Sequence, residues 1–293
     1  MSIYDEDSFV LILNGSNLVA SDPTNSTYRF NFAGTRLIKD TKIAISNISL
    51  FYSWFNISAA FNNNFFQYTF TNNAGTSTFN VSIVDGYYTI AQLNSYLQSV
   101  MITNGHYLVN GSGQNVYYLE ILENASAYAI QLNCFAFPTA LPVGWTNPSG
   151  VTFPVVASTP QFIIPPLTTS SFTTLIGVNP GTYPAVIQAT TFSKISDFTP
   201  KTTPVENVLV RCSLLNNQIS NPPDVIYSFN AAGTGFGNLI NAAPFQFLYL
   251  SVNDGYYSQI EIQFVDQQYR AITINDPSIV VQLAFKTLNK KIR

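Results

Sequence analysis

At 293 residues, the chain is long enough for one large all-β domain or for a β-domain that carries an insertion, and it can bury a sizeable core. Charged residues make up only 9%, against about a quarter in an ordinary soluble domain, and 30 asparagines outnumber them. The net charge of −3 argues against a nucleic-acid binder, which needs a basic face. A surface so poor in charge suits a protein that packs against copies of itself.

Basic residues collect at the C-terminal end, opposite a short acidic run near the N-terminal end. Lys286, Lys290, Lys291 and Arg293 lie at the C-terminal end, and Asp5-Glu6-Asp7 lies near the N-terminal end. Two interpretations stay open: both ends are solvated tails, or the basic tail contacts an acidic neighbour or nucleic acid inside an assembly. The chain has no apolar run of 18 residues, which predicts no membrane span, and its acidic polar start predicts no secretory signal.

The first half of the chain predicts a series of strands in which apolar residues alternate. These are Phe9–Leu13, Tyr28–Phe32, Thr41–Ile57, Phe65–Thr71, Phe79–Ile83, Tyr117–Leu122 and Tyr128–Cys134. In Thr41–Ile57 the apolar face changes parity at Ser46-Asn47, which predicts a β-bulge. The length of this strand and its aromatic ending place it at the centre of a large sandwich.

One helix is predicted after the fifth of these strands. Thr89 and Gln92 form a capping box, and Asn104-Gly105 closes the C-terminal end. One apolar stripe runs through Ile90, Leu93, Leu97 and Val100/Met101.

A long uncharged stretch follows. Residues 124–193 contain no charged side chain and nine of the 16 prolines. Proline removes ladder donors, so this stretch is not mostly central strand, and it is too apolar for a disordered linker. The predicted division is therefore a core of residues 1–135 and 204–293, with 136–203 as an insertion or cap. Packing against a partner subunit and folding onto its own domain both stay open.

Strands return after Pro204. They are Val208–Leu214, Val225–Phe229, Phe245–Val252, Ile260–Phe264, Ala271–Ile274 and Ile279–Phe285. The tetrapeptide Asp-Gly-Tyr-Tyr occurs at Asp85–Tyr88 and at Asp254–Tyr257, and both copies are predicted to be turns that lead into aromatic contacts. More than ten strands with one helix predict a sandwich or jelly roll.

Two cysteines fall on the apolar parity of predicted strands. Cys134 follows Tyr128, Ile130 and Leu132 in one strand, and Cys212 follows Val208 and Val210 in another. Two buried thiols in a reducing compartment are therefore expected. A disulfide between them would need the two strands to be neighbours, which leaves the pairing open.

No catalytic, cofactor-binding or metal-binding constellation is predicted, and the chain is not expected to be an enzyme. The single histidine, His106, has no nucleophile in a recognisable motif and is expected to be structural. Glu120 and Glu123 stand three apart on a strand and so point to opposite faces. Gly233–Gly237 lacks the spacing of a dinucleotide loop and is expected to be a turn. One histidine and two distant cysteines exclude zinc, and Asp5-Glu6-Asp7 lacks the pattern of a calcium loop.

Four segments together resemble the minor capsid (penton) proteins of virophages and Polinton-like viruses, which are related to penton proteins of large DNA viruses. The segments are FVLILNGSN, NSTYRFNF, AISNISLFYSWFNI and IVDGYYTIAQLNSYLQ. The resemblance covers about the first 130 residues and is diffuse beyond them. It implies a single jelly-roll β-sandwich, which here carries one short helix and the Pro-rich, uncharged insertion.

The resemblance also implies a function. Five copies would form a ring that plugs each five-fold vertex and contacts the major capsid protein, so the protein would be located in the virion after assembly in the host cytoplasm. The chain lacks the Arg-Gly-Asp tripeptide of some adenovirus pentons, so a host-receptor or spike contact has no motif to support it. The alternative is a receptor- or glycan-binding spike or fibre head. A third is a carbohydrate hydrolase, with Glu120 and Asp254 as the residues to test.

Overall fold

The computed structural model describes residues 4–153, 156–217 and 219–290, with side chains from residue 7 to residue 287 in those ranges. The chain divides into two compact units, Met1–Trp54 with Val205–Arg293, and Phe55–Pro204. The second unit thus begins well before the predicted boundary at residue 136. The strands between residues 65 and 134, which the sequence analysis assigned to the jelly roll, belong to the second unit. Strands in both units share the two-residue period, so no local pattern marks the boundary.

The first unit begins with three long strands: Tyr4–Asn14 (β1), Thr27–Ile38 (β2) and Thr41–Phe51 (β3). The predicted bulge in β3 is confirmed, because its antiparallel neighbour Val280–Lys290 pairs Gln282 with Asn47 and Leu283 with Ile45. Ser46 is the additional residue, and its Oγ donates to the Gln282 carbonyl at 3.1 Å. The bulge keeps both Ile45 and Ile48 buried despite the change of parity.

The second unit contains nine of the strands in the described ranges. They are Phe65–Asn72 (β4), Gly75–Ser82 (β5), Leu108–Val109 (β6), Asn115–Val116 (β7), Leu119–Asn124 (β8), Ala129–Cys134 (β9), Gln161–Ile164 (β10), Gly181–Tyr183 (β11) and Phe192–Ile195 (β12). The helix Ile90–Thr103 (α1) has the predicted reciprocal capping box of Thr89 and Gln92, and it buries Leu93, Leu97 and Met101. A second helix, Phe172–Ile176 (α2), was not predicted, since five residues are too few for an apolar period to register.

The first unit then resumes with six strands in the part of the chain that is described. They are Val208–Cys212 (β13), Val225–Phe229 (β14), Leu239–Ala242 (β15), Leu250–Ser251 (β16), Gly255–Asp266 (β17) and Val280–Lys290 (β18). Two predicted strands are wrong over most of their length. Only Leu250–Ser251 of residues 245–252 is strand, and residues 271–274 form a single bridge, between Ala271 and Val265.

The strands of the first unit form two antiparallel sheets. One has the order β1-β18-β3-β15, with β16 also paired to β3, and the other has the order β14-β13-β17-β2. The chain crosses repeatedly between the two sheets: β1, β3 and β18 lie in one, and β2 and β17 lie in the other. This interleaving is a jelly roll, as predicted. β3 lies between two neighbours, so its predicted place inside a sheet is confirmed.

The core of the first unit is built from the inward faces of its two sheets. Ile43 and Ile48 of β3, Phe264 of β17 and Phe285 of β18 are at most 1% exposed. Tyr28 of β2 meets Phe264 edge-on at 6.1 Å between ring centroids. Aromatic burial of this kind is a large favourable term in folding.

The second unit combines three sheets with α1. Their orders are β11-β10-β4-β5, β12-β9-β8 and the hairpin β6-β7. The uncharged Pro-rich stretch is mostly irregular, yet Phe137, Phe153, Phe162 and Phe172 are buried in this unit's own core. These four side chains therefore support the interpretation in which the Pro-rich stretch folds onto its own unit.

The acidic and basic ends of the chain are not free tails where they are described. β1 and β18 pair antiparallel from Tyr4 opposite Lys290 to Asn14 opposite Val280. The Nζ of Lys286 lies 4.9 Å from the centroid of the Tyr249 ring. The solvated-tail interpretation is thus wrong for the backbone of residues 4–7 and 286–290, whereas Lys291 and Arg293 lie outside the described residues.

The two Asp-Gly-Tyr-Tyr copies make the same pair of hydrogen bonds. Asp85 Oδ1 accepts a hydrogen bond from the Ala59 amide at 2.9 Å. In the second copy, Asp254 Oδ1 accepts one from the Asp40 amide at 3.0 Å. The hydroxyls of Tyr88 and Tyr257 donate to the carbonyls four residues earlier, at 2.9 and 2.8 Å. The first copy also makes the predicted aromatic contact, between Tyr88 and Tyr96 with centroids 6.0 Å apart.

Both cysteines are buried free thiols, as predicted. Cys134 belongs to the second unit and Cys212 to the first. Burial raises the pKa of both thiols to about 12, which keeps them protonated and unreactive at neutral pH.

Candidate functional site

His106 lies in an aromatic cluster rather than beside a nucleophile. Its Nδ1 is 2.8 Å from the Tyr68 hydroxyl, and its ring stacks on Phe70 with centroids 4.0 Å apart. The side chain is 2% exposed, and burial lowers its pKa to about 4. A neutral, enclosed imidazole of this kind fits the structural role expected from the sequence.

Glu120 and Asp254, the acidic residues considered as catalytic, make hydrogen bonds to other parts of the chain. Glu120 Oε2 accepts from Asn133 Nδ2 at 3.1 Å, and Asp254 accepts the Asp40 amide. Glu123 is exposed, three residues after Glu120 on β8. Within the described ranges, no three His, Cys, Asp or Glu side chains come close enough to hold a metal ion.

Gly233–Gly237 forms tight turns between β14 and β15, as predicted. Gly233 and Gly237 have φ values of 79° and 82°, which favour glycine. The Thr234 amide donates to the Ala231 carbonyl at 2.9 Å, and the Asn238 amide donates to the Gly235 carbonyl at 3.0 Å. No helix longer than five residues follows in this part of the described chain, so the segment does not open a phosphate site.

One flank of the jelly roll is an open groove, here called the β1–β2 flank. It has a volume of about 660 Å³, and its lining combines the aromatic Phe9, Phe30 and Phe32 with the charged Asp7, Arg36 and Lys39, among others. Phe9 stacks on Phe285 at 4.6 Å, and the Arg36 guanidinium lies 5.6 Å from the Phe9 ring centroid. As far as the chain is described, β1 pairs with β18 as its one neighbouring strand, and β2 pairs with β17 apart from a bridge between Tyr28 and Leu18. From Phe30 onward β2 therefore has an unpaired edge, as β1 does, beside this groove.

The opposite flank of the same sandwich carries an exposed apolar loop, here called the β14–β15 flank. Its loop, residues 243–249, joins β15 to β16, and Pro244 and Leu248 share a groove with Tyr227 of β14. The Phe245 side chain is fully exposed at 108%, and Leu248 is 70% exposed. Exposed apolar groups that cluster in this way mark surfaces that bind another molecule.

The second unit is almost uncharged. Residues 55–204 contain only the six charged residues Asp85, Glu120, Glu123, Lys194, Asp197 and Lys201. Lys194 and Asp197 form an ion pair with each other. The surface of this unit therefore depends on asparagine, threonine, serine and tyrosine for its solubility.

A groove of about 460 Å³, here called the Tyr128 groove, lies within the second unit. Its lining includes Tyr87, Glu123, Asn124, Tyr128 and Thr202. Asn56 joins two sides of it, because its Nδ2 donates to the carbonyls of Tyr88 and Thr202, each at 2.9 Å. The Asn56 Oδ1 also accepts the Tyr88 amide at 2.8 Å.

None of these grooves is predicted as a binding surface from the sequence. The groove of the second unit combines segments around residues 87–90, 123–130 and 200–203, which only the fold brings together. The alternation in residues 245–252 predicts a strand, whereas Phe245, Phe247 and Leu248 are exposed on a loop. The three consecutive apolar residues Leu248, Tyr249 and Leu250 interrupt the alternation, and this interruption was the available signal.

The chain is similar to several solved structures, among them two from virophages. The mavirus penton protein shares 10% identity with a TM-score of 0.44, and the likeness covers 99% of this chain and 100% of that one. A chain of the Sputnik virophage shares 8% identity with a TM-score of 0.35, over 97% of this chain and 98% of that one. No protein-family model and no curated protein matches the sequence. No helix among the described residues has the length and apolarity needed to cross a membrane.

Proposed function

We propose that this protein is a viral structural protein, a penton subunit that assembles into a ring of five at the vertices of an icosahedral capsid. One observation carries the proposal: the jelly roll has two unlike surfaces that expose apolar side chains, the β1–β2 flank and the β14–β15 flank, on opposite sides. A ring with cyclic symmetry uses a heterologous interface, in which each subunit contributes two different surfaces. A single surface that is complementary to itself would instead favour a symmetric dimer.

The chemistry of the two flanks suits contact with each other. The β1–β2 flank is a groove with aromatic walls, and the β14–β15 flank projects the fully exposed Phe245 and the largely exposed Leu248. Burying each of these side chains contributes about 1.5–3 kcal/mol. The loop between Ala242 and Leu250 carries no charge, so its burial leaves no ion without a partner.

The number five and the location come from the sequence resemblance. In such a particle the ring would contact the major capsid protein, and the protein would be located in the virion after assembly in the host cytoplasm. The almost uncharged second unit is suited to lasting contact with neighbours, because stable interfaces are depleted in charge. The basic C-terminal residues keep nucleic acid as a further contact in this proposal, and no catalytic activity is expected.

The mass of the purified chain in solution tests the proposal. Sedimentation equilibrium between low micromolar and high micromolar concentration should show a species of five 32.3 kDa chains. A chain that stays monomeric over that range, or that forms only trimers, contradicts the pentamer. Trimers would support the alternative of a spike or fibre head.

A further inference from the structure

Tyr128 has an unusual backbone conformation for a bulky residue. Its φ is 49°, in the left-handed region, directly after the short helical turn Ala125–Ala127. That region disfavours side chains with a large Cβ substituent. Tyr128 is also 77% exposed, so burial of its ring does not compensate for the strain.

The shape of this turn does not depend on Tyr128. Asn124 Oδ1 accepts from the Ala127 amide at 3.3 Å and from Ser126 Oγ at 2.9 Å, and Asn124 Nδ2 donates to Gln131 Oε1 at 3.2 Å. The Tyr128 amide donates to the Ala125 carbonyl at 3.3 Å. An asparagine or glycine at position 128 could make the same backbone bond with less strain. The hydrogen bonds of the turn therefore do not explain a phenol ring at this position.

Tyr128 lines the Tyr128 groove of the second unit, whose surface mixes apolar and polar groups. Tyr87, Thr202 and Thr203 are among the other residues around the groove, and Glu123 is the one charged residue in the lining as described. Asn56 bonds to the backbone on both sides, so the groove is held in shape before any ligand arrives.

We propose that this groove binds a neutral saccharide. The face of Tyr128 would take the C–H face of a pyranose ring, since a tyrosine combines an apolar body with a polar tip. The Glu123 carboxylate accepts hydrogen bonds from sugar hydroxyls, and threonine hydroxyls can donate or accept. A volume of about 460 Å³ lies within the range of small-ligand sites. Glu123 disfavours anionic sugars, because like charges repel in a partly desolvated groove.

Saturation-transfer NMR on the full-length protein tests this inference. The probes are lactose, N-acetyllactosamine, cellobiose and mannotriose as neutral saccharides, and 3′-sialyllactose as the anionic one. At least one neutral probe should show transfer, and sialyllactose should bind at least tenfold more weakly than lactose. No transfer to any neutral probe, or preference for the sialylated one, overturns the proposal.

Three variants locate the site. Tyr128→Asn should weaken the binding of the neutral probe at least tenfold and leave the melting temperature equal or higher. Glu123→Gln should weaken binding and reduce the discrimination against sialyllactose. Tyr269→Asn is the matched control, since Tyr269 also has a left-handed φ, of 62°, is 42% exposed, and lies outside this groove. Its binding should equal that of the wild type.

The same variants separate saccharide binding from self-association. If Tyr128→Asn keeps the saccharide affinity, or if it changes the mass of the assembled protein, the groove serves another occupant and the inference is wrong. The inference does not depend on the ring of five, because a monomeric chain could bind the same sugar.

Discussion

The phenol ring of Tyr88 lies over Gly86, so that a Cβ added to this glycine would come within 2.9 Å of Tyr88 Cε2. The ring is held there by the hydrogen bond from its hydroxyl to the Val84 carbonyl, at 2.9 Å. In the second Asp-Gly-Tyr-Tyr copy, a Cβ on Gly255 would meet Tyr257 Cε2 at 3.4 Å, which is an ordinary contact.

The two copies therefore predict different costs for the same substitution. Gly86→Ala should lower the free energy of unfolding by about 1–3 kcal/mol, because the ring must move and its hydrogen bond is strained. Gly255→Ala should change it by less than about 0.5 kcal/mol. Urea unfolding of the two variants beside the wild type measures the difference. Equal losses would mean that the backbone, not the ring, requires glycine.

His106 predicts a specific loss of stability in acid. Burial lowers its folded-state pKa to about 4, below the unfolded value of about 6.5, so the unfolded chain binds the proton more readily. The stability that His106 contributes is therefore complete above pH 6.5. It is lost as the pH falls toward 4, by up to about 3 kcal/mol.

The glutamine variant isolates this effect from that of the carboxylates. Urea unfolding at pH 7.5 and at pH 4.5 should show that the wild type loses more stability on acidification than His106→Gln does. The same loss in both proteins would contradict the assignment.

We expect the two buried thiols to react slowly with thiol reagents. With a pKa raised to about 12 by burial, Cys134 and Cys212 should not react with a disulfide reagent at pH 8 while the chain is folded. Denaturant should expose two thiols per chain. Ser112→Cys, on an exposed turn, is the positive control and should react at once. Rapid reaction of the native wild type would show that either thiol is accessible.

The bulge at Ser46 predicts that the strand tolerates both deletion and substitution of this residue. Deleting Ser46 removes the additional residue and leaves Ile45 opposite Leu283 and Asn47 opposite Gln282, so Ile48 and Leu50 stay on the buried face. The deletion should therefore give a folded protein by near-UV circular dichroism. Ser46→Ala keeps the bulge and loses only the hydrogen bond to Gln282, so it should cost about 1 kcal/mol. An unfolded deletion variant would contradict this account of the register.

We expect the association of subunits to depend on the exposed apolar side chains in the loop of the β14–β15 flank. Phe245→Ser combined with Leu248→Ser should raise the concentration needed for association more than tenfold, because two buried apolar side chains are lost from the interface. The monomer should unfold at the same urea concentration as the wild type, since both residues are exposed. Val143→Ser removes an equally exposed apolar side chain, at 103%, from the second unit and should leave association unchanged. An unchanged association of the double variant would exclude this flank as the interface.

The sequence predicted the features that depend on a local period. The parity change at Ser46, the capping box of Thr89 and Gln92, and the buried thiols all follow from side chains within a few positions of each other. The boundary at Phe55 could not be predicted in this way, because strands on both sides of it share the same alternation. Likewise, residues 245–252 alternate like a strand, but β3 pairs only with Leu250–Ser251 of that segment.

The candidate surfaces could not be predicted from the sequence, for a different reason. Glu123 and Thr202 are far apart in the chain, and only the fold of the second unit brings them to one groove. The left-handed backbone of Tyr128 follows from hydrogen bonds of Asn124, which no periodic pattern reveals. Phenylalanine is usually a core residue, so only the full exposure of Phe245 in the structure identifies it as a surface group.

The pairing of β1 with β18 has a consequence for biosynthesis. Tyr4 pairs with Lys290, so β1 leaves the ribosome long before the strand with which it pairs. During that interval the apolar residues of β1 are exposed to other nascent chains. The chain would depend on chaperones until β18 has been synthesised, and termination before β18 would leave an aggregation-prone fragment instead of a smaller domain.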